Sequence, residues 1–100
     1  MYIIIWEYQV RPEHSLEFEK YYNKDGAWAK LFNKSDGYLG TELLCDETDA
    51  NRFLTIDRWA SIDAYNEFKA NWLKEYEKLD CQCEYITELE TLLGKYNLVN

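Results

Sequence analysis

One hundred residues suffice for one hydrophobic core and not for two, because a chain of this size buries only roughly two-thirds of the surface its unfolded form exposes. With 47% hydrophobic and 17% aromatic residues, the chain is too apolar to stay disordered. Nineteen acidic against eleven basic side chains give a formal net charge of -8, a field that repels phosphate backbones and anionic lipid and so argues against nucleic acid and membrane as partners.

The stretch Tyr2 to Val10 is rich in β-branched and aromatic residues. Its period of two sets Ile4, Trp6, Tyr8 and Val10 on one face of a strand and Ile3 and Ile5 on the other. It lacks the basic head and small-residue cleavage site of a secretory leader, and no run approaches the roughly twenty apolar residues of a membrane span. A cytoplasmic location is expected. Pro12 and Glu13 suit the first turn of a helix, in which Leu16, Phe18, Tyr21 and Tyr22 supply apolar contacts. Asn23 to Gly26 interrupts it, and Asp25 is placed to cap a second helical piece carrying Trp28, Leu31 and Phe32.

Ser35, Asp36 and Gly37 form a turn before a strand over Tyr38 to Asp46, and a polar connection leads to another over Arg52 to Trp59. Ser61 caps a helix whose Tyr65, Phe68, Trp72, Tyr76 and Leu79 recur at steps of three and four, one apolar stripe. Alternation then predicts a last strand over Cys81 to Glu90, with Glu84, Glu88 and Glu90 as a solvated run, and a tail from Thr91 to Asn100. Cys81 and Cys83 would share a strand face. With Cys45 distant, no His beside them and an odd total, reduced structural thiols are expected rather than a metal or redox site.

Strand, helix, strand, strand, helix, strand is the split βαβ order: a single α+β domain over residues 1–100, ferredoxin-like, with two helices on one face of a four-stranded antiparallel sheet. Apolar side chains then remain on the other face, from Ile3, Ile5, Leu54 and Ile56. A second copy of the chain is the economical cover, and the tail, with Leu92, Leu93, Tyr96, Leu98 and Val99, is the competing one.

Two stretches carry a resemblance: Asp25-Gly-Ala-Trp-Ala-Lys-Leu-Phe running to Gly37-Tyr-Leu-Gly-Thr-Glu-Leu, and Leu54-Thr-Ile-Asp-Arg-Trp-Ala-Ser-Ile-Asp-Ala-Tyr65. Across nearly its whole length the chain resembles the antibiotic biosynthesis monooxygenase domain family. The resemblance implies a dimeric α+β barrel and a homodimer. For function it implies a cofactor-independent monooxygenase acting on a small aromatic substrate of phenol or quinone type. In the quinone-forming oxygenases of that family an Asn, a Trp four residues later and a Tyr six beyond contribute to the pocket. Matched here, the Trp and Tyr fall on Trp59 and Tyr65, and Thr55 stands where the Asn would be. A further Arg of that group falls near Leu79, with Lys78 adjacent and Lys74 one turn earlier.

The residues themselves allow the same site. On a strand Phe53, Thr55, Asp57 and Trp59 share a face, so a hydroxyl, a carboxylate and an indole N–H point one way, toward a planar guest. Trp59, Tyr65, Thr55 and Asp57 are the candidate catalytic set. Trp28, Tyr21, Phe68, Trp72 and His14 are candidate substrate contacts, with Tyr22 beside Tyr21. Asp57 and His14 are the titratable groups able to take a phenolic proton, after which the anion would react with oxygen without flavin or metal. Each has a plainer role: Trp59, Tyr65, Phe68 and Trp72 as core, His14 as a solvated side chain, Asp57 as a strand partner of Arg58 or Arg52.

Asn71-Trp72-Leu73 resembles the Trp-bearing segment of the heme-degrading branch of the fold, but Gln82 occupies the position of the iron-ligating His there, and His14 is the single His in the chain. No Gly-rich phosphate loop, H-E-x-x-H or nucleophile elbow is present. Three readings stay open: a cofactor-free oxygenase, a dimeric module that binds a small apolar ligand without chemistry, and a dimer whose interior is filled by its own side chains.

Overall fold

A computed structural model describes all 100 residues. Strand β1 spans Tyr2–Val10, helices α1 and α2 span Ser15–Tyr22 and Ala27–Phe32, and strands β2 and β3 span Tyr38–Cys45 and Arg52–Trp59. Helices α3 and α4 follow over Ile62–Asn71 and Leu73–Cys83, then strand β4 over Thr87–Asn97. The strands form one antiparallel sheet in the order β2-β3-β1-β4, the ferredoxin-like arrangement.

Alternation decides the two faces. Along β3 every second residue is buried, Phe53, Thr55, Asp57 and Trp59, and along β1 the buried residues are Tyr2, Ile4, Tyr8 and Val10. These meet Phe18, Tyr22, Trp28, Leu31, Phe32, Phe68 and Cys83 from the helices in one core. Phe32 is its centre, with ring centroids 5.3 to 5.8 Å from Phe68, Trp59, Tyr38 and Trp28, within the range of favourable aromatic pairs. On the opposite face Ile3, Ile5, Leu54 and Ile56 are half-buried with no helix over them, flanked by exposed Leu44, Leu89 and Tyr96 and by an Arg58–Glu42 ion pair.

The first helical region is broken as expected, but it opens with a 3-10 turn at Pro12–His14, and Leu16 projects into solvent, 75% exposed. Asp25 does not cap α2. The N-cap is Gly26, without a side-chain hydrogen bond, and Asn23 Oδ1 accepts from the Asp25 N–H at 2.8 Å, forming the turn between the helices. Gly26 is required by space: a Cβ there would lie 2.6 Å from the Lys20 carbonyl oxygen and 2.9 Å from the Tyr21 carbonyl. The two helices meet too closely for any side chain.

The expected single helix after Ser61 is two. Ser61 accepts from the Ala64 N–H at 3.1 Å and caps α3, but the backbone bends at Trp72 (φ -124°, ψ 27°). The N–H of Trp72 still bonds Phe68 and its carbonyl still receives Tyr76, both at 2.9 Å, so the apolar stripe runs through the bend undisturbed.

The largest correction concerns the last strand. Residues 81–83 close α4, because Cys83 extends the stripe of Trp72, Tyr76 and Leu79 and is buried, while Cys81 is exposed. The two thiols do not share a strand face, and Cys45, Cys81 and Cys83 are all free. The segment expected to be a tail is mostly β4, which pairs with β1 from Val10↔Thr87 to Tyr2↔Asn97. It therefore extends the sheet instead of covering it. No helix is long and apolar enough to cross a membrane.

Replacing Gly26 by Ala should force α1 and α2 apart and lower the unfolding free energy by about 1 to 3 kcal/mol, measured by urea titration of the aromatic fluorescence. An unchanged midpoint would show that the helix corner yields freely.

Candidate functional site

Between the helices and the inner sheet face lies a cavity of about 160 Å³, about the size that accommodates one benzene ring. The interior is thus not filled by the chain's own side chains. Its walls are aromatic: Trp6 and Tyr8 from β1, Tyr22 from α1, Trp28 and Phe32 from α2, and Tyr76 from α4. Tyr76 meets Trp28 edge to face at 5.0 Å, and Tyr22 lies 4.8 Å from Tyr8. The Trp28 indole N–H is buried and has no hydrogen-bond partner.

The polar groups gather at two places. Thr41, Thr55 and Asp57 come from β2 and β3, and Asp80 and Glu90 come from α4 and β4. Strand register separates them: Asp57 faces Ile4, whereas Glu90 faces Tyr8, four residues along β1 and on its other side. At roughly 3.4 Å per residue and 4.8 Å per strand, their backbones stand diagonally apart across the sheet.

Asp57 is 8% exposed. Thr41 faces it across the β2–β3 pairing and donates its hydroxyl to Asp57 Oδ1 at 2.6 Å, and the Tyr38 hydroxyl bonds Thr41 Oγ1 at 2.5 Å. Since the Thr41 proton goes to the carboxylate, Tyr38 is the donor to Thr41. Tyr38 also borders a shallow surface depression beside Lys24 and Lys30, so the three groups form a hydrogen-bonded chain from the cavity to the outside. Burial pushes the Asp57 carboxyl up from its ordinary 3.8 to about 6, with the Thr41 hydrogen bond pulling the other way. Burial also pushes the phenols of Tyr8, Tyr22 and Tyr76 up, so they stay neutral. Thr55 Oγ1 reaches Tyr8 Oη at 3.5 Å, a marginal contact.

Glu90 is exposed as a residue, but its Oε1 turns inward to the hydroxyls of Tyr22 and Thr87, both at 3.4 Å. Its carboxyl is pushed up, first by loss of solvent and then by Asp80. No three His, Cys, Asp or Glu side chains converge closely enough to hold a metal ion.

Of the residues singled out in the sequence, Thr55, Asp57, Trp28 and Tyr22 line this cavity. Trp59 stands behind it, fully buried, its ring 5.3 Å from Tyr65 and 5.2 Å from Phe68, and its indole N–H has no partner. Tyr65 is half-buried against Trp59 and Tyr2, and Tyr21 is half-buried at the edge of the core. Trp72 lies in a separate surface groove under the Lys34 ammonium, 4.9 Å from its ring. His14 is outside the cavity, with Nδ1 2.7 Å from Glu17 and its ring edge-on to Tyr85. Gln82, at the position matched to the heme ligand, is in α4 and exposed, not in a strand.

Sequence reasoning missed Thr41, Asp80 and Glu90. Thr41 becomes visible once β2 is paired with β3, and Asp80 once α4 is carried through Cys83. Glu90 reads in the sequence as part of a solvated run, and its inward turn depends on the register of β4.

Because folded Asp57 holds its proton more tightly than the unfolded chain, stability is gained as pH falls from about 6 toward 3.8, and the full cost of the ionised group is present above about 6. Asp57→Asn keeps an acceptor for Thr41 and removes that cost. It should raise the unfolding free energy at pH 7.5 by about 1 to 3 kcal/mol and flatten its pH dependence below 6, measured by denaturant unfolding across that range.

The model of the family described as antibiotic biosynthesis monooxygenase matches residues 1–72. No curated protein matches the chain. Among solved structures, a candidate antibiotic biosynthesis monooxygenase from Deinococcus radiodurans is 16% identical, with a TM-score of 0.81 over all of this chain and 94% of that one. A variant of SnoaB, a cofactor-independent oxygenase from Streptomyces nogalater, is 19% identical, with a TM-score of 0.73 over 99% of this chain and 93% of that one. PA3566 from Pseudomonas aeruginosa is 15% identical, with a TM-score of 0.71 over 99% and 94% of the two chains. At such identities the likeness is one of fold.

Proposed function

The chain belongs to the antibiotic biosynthesis monooxygenase family, and from that premise we propose that it is a cofactor-independent monooxygenase of a single-ring phenol or hydroquinone held in the cavity over β3. The observation that carries the reading is the Asp57 carboxylate, buried, hydrogen-bonded on one oxygen by Thr41, and set in the wall of a ring-sized aromatic cavity. The similarity to a solved cofactor-independent oxygenase supports it.

In this reading Asp57 takes the phenolic proton, and its upward shift brings it toward the pKa a general base needs near neutrality. Thr55 orients the ring oxygen. The electron-rich anion passes one electron to dioxygen, and the two radicals join in a new C–O bond. The peroxide takes a proton, and loss of water with the ring C–H proton leaves a carbonyl. Hydroquinone and one dioxygen thereby give hydroxyquinone and one water, the substrate supplying all four electrons. The proton that the peroxide takes is the one held on Asp57, so the carboxylate is regenerated, with Thr41 donating to it and Tyr38 donating to Thr41. Trp59 and Tyr65, behind the cavity, act as positioning residues that hold β3 against α3.

Oxygen-electrode assays with hydroquinone should show uptake that falls as pH drops through about 6, where Asp57 gains its proton. Asp57→Asn should lower kcat by about 10²-fold or more, and Trp59→Phe by much less. Full uptake by Asp57→Asn would remove the carboxylate from the mechanism.

We further propose a homodimer formed through the helix-free face of the sheet, supported by the half-buried apolar patch of Ile3, Ile5, Leu54 and Ile56. Ile5→Glu, at the centre of that patch beside Ile56 and Gly94, should yield monomers by light scattering. A dimer that survives the substitution would move the interface elsewhere.

A further inference from the structure

The cavity has aromatic walls and three carboxylates, Asp57, Asp80 and Glu90, and no Lys, Arg or His among its lining residues. Asp80 and Glu90 also belong to a neighbouring open depression, whose other acidic members are Glu84 and Glu88 and which likewise has no basic side chain. A ring-sized aromatic chamber thus adjoins an acidic vestibule, on a chain of net charge -8. Low-dielectric walls beside charges of one sign focus the field and concentrate ions of the opposite sign.

Two cations of the protein are close: Lys69 Nζ sits 3.6 Å from the centre of the Tyr76 ring and interacts with Asp80, and Lys95, opposite Ile4 on β4, lies over the Tyr65 ring at 5.8 Å. Neither lines the cavity, so Asp57 and Glu90 have no countercharge inside it. Asp57 is nine-tenths buried, and Thr41 occupies only its Oδ1; the other oxygen has no hydrogen-bond partner. Electron-rich ring faces and unpaired carboxylates are together the chemistry that stabilises a desolvated organic cation. An anionic guest would meet three like charges without a donor cation, and burial would strengthen the repulsion from Asp57.

We propose that the cavity selects a single-ring aromatic amine in its protonated form, with the ring among Tyr8, Trp28 and Tyr76 and the ammonium toward Asp80 and Glu90. The proposal rests on the reading that this cavity is the substrate site, and names the class of substrate it takes. It also eases the chemistry. Proton transfer from a phenol to Asp57 moves a negative charge onto the ring without creating one, yet leaves it among carboxylates. An ammonium on the same substrate supplies the positive charge that the lining lacks.

Three probes of nearly equal size separate the outcomes: 4-hydroxybenzylamine, 4-hydroxybenzyl alcohol and 4-hydroxybenzoate, titrated at pH 7.5 by calorimetry. The amine should bind about tenfold or more tightly than the alcohol, the benzoate should not bind, and raising the salt should weaken the amine alone. Asp80→Asn with Glu90→Gln, at exposed positions and checked for folding by circular dichroism, should erase the preference by bringing the amine down to the affinity of the alcohol. Equal binding of amine and alcohol, tight binding of the benzoate, a preference insensitive to salt or to the double substitution, or no binding by any probe overturns the proposal. Oxygen uptake with hydroquinone stands apart: amine binding without turnover would retire the oxygenase and keep the cation site, and turnover without amine preference would do the reverse.

Discussion

A sheet has two faces, and this chain has helices for one of them. Everything else in the molecule follows from that imbalance. The inner face must collect the large rings, so Tyr2, Tyr8, Phe53 and Trp59 alternate along β1 and β3 to meet Phe18, Phe32 and Phe68 from the helices. Rings do not tile as closely as aliphatic side chains, and where Trp28 meets Tyr76 edge to face and Tyr22 tilts against Tyr8 a ring-sized space is left. The outer face keeps Ile5, Leu54 and Ile56 half-buried with no helix over them.

Into the inner face the same alternation drives a carboxylate. Asp57 is two residues from Thr55 and two from Trp59, and no rotation of the strand exposes it without exposing both. The ionised group is held by a single hydroxyl, itself held by Tyr38, and such an arrangement lowers stability in exchange for a group that titrates near neutral pH. Functional sites are where local rules of burial are broken.

Much of this was legible in the residues. The alternation of β1 and β3, the capping Ser61 and the interruption at Asn23 to Gly26 each have a local cause, and each lies where the pattern placed it. The failures also have causes. Cys83 belongs at once to a period of two with Tyr85 and Thr87 and to a period near 3.6 with Tyr76 and Leu79, and burial in the core selects the helical series. That ambiguity displaced β4 and hid Asp80 and Glu90. Thr41 was hidden differently: which residue of β2 meets Asp57 depends on a register shift between Tyr38 and Gly40 that no local pattern announces. The half of the site on β3 was therefore readable, and the half on its neighbours was not.

The strand order carries a consequence for how the molecule is made. β1, the first strand in the chain, lies between β3 and β4 in the sheet, and its second neighbour is the last strand. The Ile3, Ile4, Ile5 and Trp6 run therefore keeps one unpaired edge until residues 87–97 have joined it. Contacts of such long sequence separation slow folding, and a β-branched edge awaiting its partner is a segment from which misassembly starts. The acidic surplus of this chain has a use there too: nascent copies of like charge keep their unfinished edges apart.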